Sequence, residues 1–306
     1  LSFSPDGRLL ASGSFDRTFR VWDVRGRRQH FAPPLYTSQV RAVAFSPVDR
    51  VVAVASDMGL LNTPFGQESV DDPETSQVKV YDALTGAVVV DLRERQCRQV
   101  RALAFSPDGG TLATLGVRLL LWDVKTWTVR RRLPNSIRTG YDAVAFSPDG
   151  SALAVLGGDG DEVHLWDPAG GRLLRKLWLP GKYGTCLSFS PDGRTLAYGT
   201  KQETVEVWDW TTGKHLRSMD CGETVFCVAF SPGGRAVAAG EWYRRPTFIP
   251  IIDPFGRARE WDISTGEAVK SRTGHYDGVT ALAYSPDGKL LATGDATGVI
   301  RLWPAQ

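Results

Sequence analysis

The sequence is poor in most of the side chains that mark chemistry. Its 306 residues include 4 His, 4 Cys and 2 Met. The cysteines, Cys97, Cys186, Cys221 and Cys227, form no CxxC pair and share no zinc-ligand spacing with the histidines. Neither a zinc centre nor a disulfide framework is indicated, and unpaired thiols fit a reducing, cytoplasmic compartment. Charge of one sign is also missing, since 36 basic and 34 acidic residues leave a formal net charge of +2. That balance gives no basic stripe to attract nucleic acid. No apolar run approaches the roughly 18 residues that a membrane-spanning helix needs. A serine-nucleophile elbow, an HExxH pair and a phosphate-binding glycine loop are all lacking, so no catalytic residue and no cofactor is assigned. The stretch Gly157 to Glu162, rich in Gly and Asp, lacks the ligand spacing of a calcium loop. It reads as a hairpin turn, and no metal site is assigned.

What the sequence does have is repetition. The phrase Phe-Ser-Pro-Asp-Gly, or a near variant, recurs seven times, with its Ser at Ser4, Ser46, Ser106, Ser147, Ser190, Ser231 and Ser285. Successive intervals are 42, 60, 41, 43, 41 and 54 residues, a period with two stretched members. A second phrase keeps phase with the first: Trp22-Asp23, Tyr81-Asp82, Trp122-Asp123, Trp166-Asp167, Trp208-Asp209, Trp261-Asp262 and Trp303-Pro304. Two phrases in register at this period indicate one supersecondary unit repeated seven times. Each unit predicts four short strands, a to d. Strand a precedes the Ser, Pro-Asp-Gly turns the chain into strand b, strand c ends at Trp-Asp, and strand d follows a second turn. Strand a carries small residues on one face, as at Ala42 and Ala44, and bulky ones on the other, as at Val43 and Phe45. Such a strand suits a wedge-shaped sheet buried on both sides.

The paired phrases resemble the WD-repeat β-propeller family over essentially the whole chain, in the Ser-Pro-Asp-Gly-rich spelling of bacterial-type repeats. The resemblance implies an all-β, seven-bladed β-propeller of four-stranded antiparallel blades, forming one domain over residues 1–306. It also implies a buried hydrogen-bond chain that runs from a His before strand a, through a Ser or Thr on strand b and an Asp in the b–c turn, to the Trp of strand c. The matching positions are Ser12, Asp16 and Trp22 in the first unit and His275, Thr293 and Trp303 in the last, where Thr297 stands at the Asp position. Tyr81, Trp122, Trp166, Trp208 and Trp261 are the corresponding aromatics of the other units, which lack the Gly-His pair. The chain opens on the end of a strand a and closes on a strand c. Closure is therefore expected to be incomplete, in a piece cut from a longer protein; a naturally imperfect ring is the alternative.

The two stretched units both expand the b–c connection, which the resemblance places with the d–a connections on one face. The insert of the second unit, about residues 57–77, carries Met58 and Phe65 among acidic residues. That of the sixth, about 241–256, carries Trp242, Tyr243, Arg244, Arg245 and Phe248. Trp, Tyr and Arg combine apolar area with directional polar groups and dominate binding hot spots, so these seven residues are the candidate partner-binding set. The competing reading folds the aromatics of the sixth unit back onto its own strands. Trp127 and Trp210 lie in c–d turns, where packing over a neighbouring turn competes with partner anchoring. Arg130-Arg131-Arg132 falls on an outermost strand, where charge blocks sheet-to-sheet association.

The functional expectation is a non-catalytic protein-interaction scaffold or regulatory propeller. It would serve a protein partner or a tethered upstream domain, with a serine/threonine kinase the specific candidate by resemblance. The alternative of another class is a small-ligand sensor or propeller enzyme working at the top mouth of the central channel.

Overall fold

A computed structural model describes residues 1–33, 36, 38–56, 60–63, 66–69, 78–94, 99–134, 143–157, 161–178, 181–242 and 256–305. All regular structure among them is β. Blade 1 consists of β1 (Ser2–Phe3), β2 (Leu9–Gly13), β3 (Phe19–Asp23) and β4 (Arg28–Phe31). Blade 2 holds β5 (Val40–Phe45) and β6 (Val51–Ser56), a separate hairpin of β7 (Leu60–Thr63) and β8 (Gly66–Ser69), then β9 (Val78–Asp82) and β10 (Val88–Leu92). Blade 3 runs through β11 (Ala102–Phe105), β12 (Thr111–Leu115), β13 (Leu119–Asp123) and β14 (Thr128–Leu133). Blade 4 is β15 (Val144–Phe146), β16 (Leu153–Gly157), β17 (Glu162–Trp166) and β18 (Leu173–Trp178). Blade 5 is β19 (Gly184–Phe189), β20 (Thr195–Thr200), β21 (Thr204–Asp209) and β22 (Lys214–Asp220). Blade 6 is β23 (Thr224–Phe230), β24 (Ala236–Trp242), β25 (Gly256–Asp262) and β26 (Ala268–His275). Blade 7 has three described strands, β27 (Val279–Tyr284), β28 (Leu290–Asp295) and β29 (Ile300–Pro304). Every pairing is between antiparallel sequence neighbours, apart from β6 with β9 across the insert hairpin. The architecture is that of a seven-bladed β-propeller. Blades 1 to 3 lie in one compact unit, residues 1–137, and blades 4 to 7 in another, residues 138–306.

The recurrent Ser explains itself in the a–b turn. In blade 1, Ser4 Oγ donates to Asp6 Oδ1 at 2.6 Å and accepts from the Leu9 amide at 2.9 Å, while Arg8 N also reaches Asp6 Oδ1. Gly7 closes the turn at φ 68°, a conformation that costs a Cβ-bearing residue about 1 kcal/mol or more. The same Ser-to-Asp contact recurs at Ser106–Asp108, Ser147–Asp149, Ser190–Asp192 and Ser285–Asp287. In each, the Ser hydroxyl holds the Asp carboxyl below its ordinary range. The Asp of Trp-Asp does the equivalent work in the c–d turn, where its Oδ1 caps the amides that follow, as Asp209 does for Thr211 and Thr212 at 2.9 and 3.0 Å.

The core lies between consecutive blades of each unit. Phe19, Val21, Val52, Val54 and Tyr81 join blades 1 and 2; Val80, Leu92, Leu112, Leu120 and Trp122 join blades 2 and 3. Corresponding clusters join blades 4 and 5, 5 and 6, and 6 and 7. Strand a of each blade packs against its neighbour with the small residues noted in the sequence, including Ala42, Ala143, Cys186 and Cys227.

Candidate binding surfaces and the buried networks beneath them

The hydrogen-bond chain of the last unit is complete. Trp303 Nε1 donates to Thr293 Oγ1 at 2.7 Å, and Thr293 Oγ1 lies 2.7 Å from His275 Nε2. His275 Nδ1 in turn meets Asp295 Oδ2 at 2.8 Å. The donors and acceptors balance only if the Thr293 hydroxyl donates to a bare Nε2 and Nδ1 carries the proton toward Asp295. Burial disfavours the imidazolium and lowers the His275 pKa, although Asp295 pulls the other way. Burial works against the Asp295 charge too, but hydrogen bonds from Thr297 and His275 hold its carboxyl below the ordinary range. The acid of the chain is therefore Asp295, two residues before the position expected. Thr297 supports it, donating from N at 3.0 Å and from Oγ1 at 2.6 Å.

The first unit departs from expectation in the same place. Trp22 Nε1 donates to Ser12 Oγ at 2.9 Å. Asp16, however, is exposed and only shapes its own turn, accepting from Thr18 N and Oγ1 at 2.8 and 2.6 Å. It is not a member of a buried chain. The third unit has a pair that the sequence reading missed, Trp122 Nε1 to Thr114 Oγ1 at 3.0 Å. The spacing would have found it, because Thr114 follows Ser106 by the same eight residues that separate Ser12 from Ser4. In blade 2, Tyr81 accepts instead from the Tyr36 hydroxyl at 2.7 Å, and burial raises both phenols. Trp166 and Trp261 are buried at the ends of their strands c, with the Arg259 guanidinium 5.6 Å over the Trp261 ring. Among the described residues, Trp208 Nε1 is buried with no hydrogen-bond partner, and His215 stands edge-on to its ring at 5.0 Å.

In blades 4 to 6 a glutamate of strand c gathers polar partners beside strand d, buried at Glu206 and Glu260 and part-exposed at Glu162. Glu206 on β21 is 1% exposed at its side chain and takes His215 Nε2 at 2.7 Å, Thr204 Oγ1 at 2.8 Å, Lys182 Nζ at 3.1 Å and the Ser218 hydroxyl. Burial opposes its charge, but these donors together hold the carboxyl below its ordinary range. In blade 4, Glu162 meets His164 at 2.5 Å and Lys176 at 3.1 Å. Glu260 in blade 6 is bridged by Arg272 at 2.7 Å and by the Tyr284 hydroxyl from blade 7.

The stem of the blade 6 insert is the described part of the candidate surface. Glu241, next to last in β24, stands opposite Arg257, the second residue of β25, and the two form an ion pair at 2.7 Å with Arg259 3.4 Å away. The Glu241 side chain is 2% exposed, and burial raises its pKa despite both guanidinium groups. Arg257 and Arg259 also donate to the carbonyls of Cys221 and Asp220, where β22 ends and the d–a connection begins. Trp242, half-buried, packs at a tilt against Phe226 with ring centroids 4.9 Å apart and covers Gly278, where a Cβ would come within 2.7 Å of the indole. Tyr243, Arg244, Arg245 and Phe248 lie outside the described residues, as do Met58 and Phe65 of the blade 2 insert. The two Trp of the c–d turns are partly buried against the core. Trp210 donates to Gly193 O of the neighbouring a–b turn at 2.7 Å and meets Phe189 edge-on. Trp127 occupies φ 54° where blades 2, 4, 5 and 6 have Gly86, Gly171, Gly213 and Gly266.

Two family profiles match the chain. "WD domain, G-beta repeat" covers residues 1–23 and 266–304, and "Anaphase-promoting complex subunit 4 WD40 domain" covers 180–232. The first falls on the opening repeat and on the repeat with the complete His–Asp–Thr–Trp chain. These matches place WD repeats at both ends and in the fifth blade of the β-propeller fold. Small ribosomal subunit protein RACK1y of Oryza sativa subsp. japonica is 30% identical over 142 residues, 46% of this chain and 40% of the relative. Serine-threonine kinase receptor-associated protein of Gallus gallus is 25% identical over 228 residues, 74% of this chain and 60% of the relative. Guanine nucleotide-binding protein subunit beta of Arabidopsis thaliana is 24% identical over 320 aligned positions, 99% of this chain and 79% of the relative. The chain thus spans less than two thirds of the first two relatives.

Proposed function

We propose that this propeller is a non-catalytic protein–protein interaction scaffold, and that its partner-binding residues are Tyr243, Arg244, Arg245 and Phe248, with Met58 and Phe65 as a second group. The observation that carries this reading is the stem of the blade 6 insert. The ion pair of buried Glu241 with Arg257 and the Trp242–Phe226 ring contact fix both ends of a segment rich in hot-spot residue types. Fixed stems reduce the ordering cost of binding. The names of the relatives support the class, since two of them are a kinase-receptor-associated protein and a G-protein subunit. A tethered upstream serine/threonine kinase is the more specific form of the proposal. It is supported only by the bacterial-type spelling of the Ser-Pro-Asp-Gly phrases, and the relatives named above are eukaryotic. The unpaired Cys186, Cys221 and Cys227 favour the cytoplasm as the compartment.

The test separates stem from tip. Alanine at Tyr243, Arg244, Arg245 and Phe248 together should abolish co-purification of the partner at an unchanged thermal midpoint. Full retention of the partner by that variant would refute the assignment.

A further inference from the structure

Six c–d turns lie among the described residues, and they follow one plan. An Asp after the strand-c aromatic caps the amide three residues on, and the next residue takes the left-handed conformation. That residue is Gly86, Gly171, Gly213 or Gly266 in blades 2, 4, 5 and 6, Trp127 in blade 3, and Arg27 at φ 49° in blade 1. A side chain at such a position costs about 1 kcal/mol. Trp127 offsets that cost by packing against the core of blades 2 and 3. Arg27 is exposed, and among the described residues its guanidinium meets no hydrogen-bond or ion-pair partner.

Charge sets the same turn apart. Between the capping Asp and the fifth residue after it, blade 1 has Arg25, Arg27 and Arg28 against Asp23 alone. Blade 2 has Asp82 and no base, blade 6 has Asp262 and Glu267, and blades 3, 4 and 5 balance one acid with Lys125, Arg172 or Lys214. The Val24 amide bonds to Arg8 O at 2.9 Å, which sets the exposed Arg8 of the a–b turn beside the c–d turn. Arg8 and Arg28 lie 3.7 and 3.5 Å from Asp6 and Asp23, carboxylates already engaged by Ser4 and by the Gly26 amide. Arg25, exposed like Arg27, has no side-chain partner among the described residues either. Elsewhere, arginines beside these turns serve the fold. Arg175 donates to Thr211 O in the blade 5 turn at 2.8 Å, and Arg217 donates to Thr265 O and Ser264 O in the blade 6 turn at 2.7 and 2.9 Å, so each latches one blade to the next.

An apolar ledge adjoins the basic turn. His30 Nε2, two residues past Arg28, lies 3.1 Å from Leu84 O in the c–d turn of blade 2. Leu84 is 48% exposed, and the Ala83 amide bonds to Arg50 O of the a–b turn that carries Val48, 59% exposed. Unpaired guanidinium groups match carboxylates through bidentate hydrogen bonds. We propose that the c–d turn of blade 1 docks an acidic segment of a protein partner, whose carboxylates pair with Arg25 and Arg27 and whose flanking aliphatic residue lies on Leu84. Arg8 and Arg28 add to the positive field that orients it. Nucleic acid fits less well, because a duplex-binding protein makes about six to ten phosphate contacts and these turns carry no aromatic for base stacking. The site does not depend on the role of the blade 6 insert.

Fluorescence anisotropy with the whole chain tests this, using a labelled peptide of alternating Asp and Glu that ends in two leucines. The peptide should bind, and its counterpart with Asn and Gln should not. Raising salt from about 0.05 to 0.5 M should weaken binding severalfold, because the arginines are exposed. Arg25→Gln with Arg27→Gln should weaken it roughly tenfold at an unchanged thermal midpoint. Arg27→Gly, which suits the left-handed backbone, should weaken binding while raising the midpoint, an opposition that a purely structural residue would not show. Lys214→Gln, at an exposed base of the blade 5 turn, should leave binding as it is. Replacing the two leucines by serines should weaken the peptide for the native chain and not for Leu84→Ser. No binding, equal binding by the double arginine variant, or an equal loss in Lys214→Gln would overturn the proposal. So would polyuridine RNA or phosphatidylserine vesicles held more tightly than the peptide through Arg25 and Arg27, and a leucine advantage that survives Leu84→Ser would overturn the ledge.

Discussion

The Arg217 guanidinium lies over Gly266, so close that a Cβ there would sit 2.6 Å from Nη1, and the same guanidinium donates to the carbonyls of Ser264 and Thr265. One residue of blade 5 thereby caps the c–d turn of blade 6. The contact explains why a glycine recurs in these turns beyond its tolerance of φ 78°.

Gly266→Ala is therefore expected to cost more than its backbone alone. The left-handed conformation costs about 1 kcal/mol for alanine, and displacing Arg217 adds a lost charge-assisted hydrogen bond, for about 2–4 kcal/mol together. Gly222→Ala is the control, at φ 70° with nothing within 4 Å of the added Cβ, and should cost only the backbone part. Denaturant midpoints of the two variants measure the difference.

The Trp partners make a second contrast. Thr114→Val leaves the buried Trp122 N–H unpaired and is expected to cost about 1–3 kcal/mol. Trp208→Phe removes an indole N–H that has no partner among the described residues, so its cost should fall below that of Trp122→Phe. Equal losses for the two Phe variants in chemical denaturation would contradict the assignment.

His275 makes stability depend on pH. Its folded pKa lies below the unfolded value of about 6.5, so between the two the unfolded chain binds more protons. The contribution is fully present above about pH 6.5 and is lost as pH falls through that value toward the folded pKa. The native chain should lose stability between pH 7 and 5.5, and His275→Gln should flatten that part of the profile while lowering stability at pH 7.

Trp242 is expected to behave as a structural residue of the stem. Trp242→Ala exposes Phe226 and uncovers Gly278, so the thermal midpoint should fall by several degrees. Tyr243→Ala should not move it. A midpoint unchanged by Trp242→Ala would show that the indole contributes little to the blade.

Much of this molecule is legible in its sequence because its regularities are local. Ser4, Pro5, Asp6 and Gly7 form a turn within a few residues, and Trp-Asp or Tyr-Asp ends strand c in five blades, with the last closing on Trp303-Pro304. In blade 4 the strand stops one residue early, at Trp166. What escaped depends on register and on neighbouring blades. Glu206, His215 and Ser218 meet only once β21 and β22 are paired, bulge included. Asp295 escapes the expected spacing because it ends β28 itself, two residues before the turn position, and meets His275 from there. The latches Arg175 and Arg217 act on the following blade, so their own repeats give no sign of them.

The most direct test of the scaffold reading is site-specific photo-cross-linking in the native host. A benzoyl-phenylalanine would be placed at position 243 or 248 in the blade 6 insert, and at position 192 in an exposed a–b turn as reference. The account predicts a discrete protein adduct from the two insert positions, competed away by excess unlabelled chain and absent at 192. No protein adduct from either insert position, or the same adducts at all three, would contradict it.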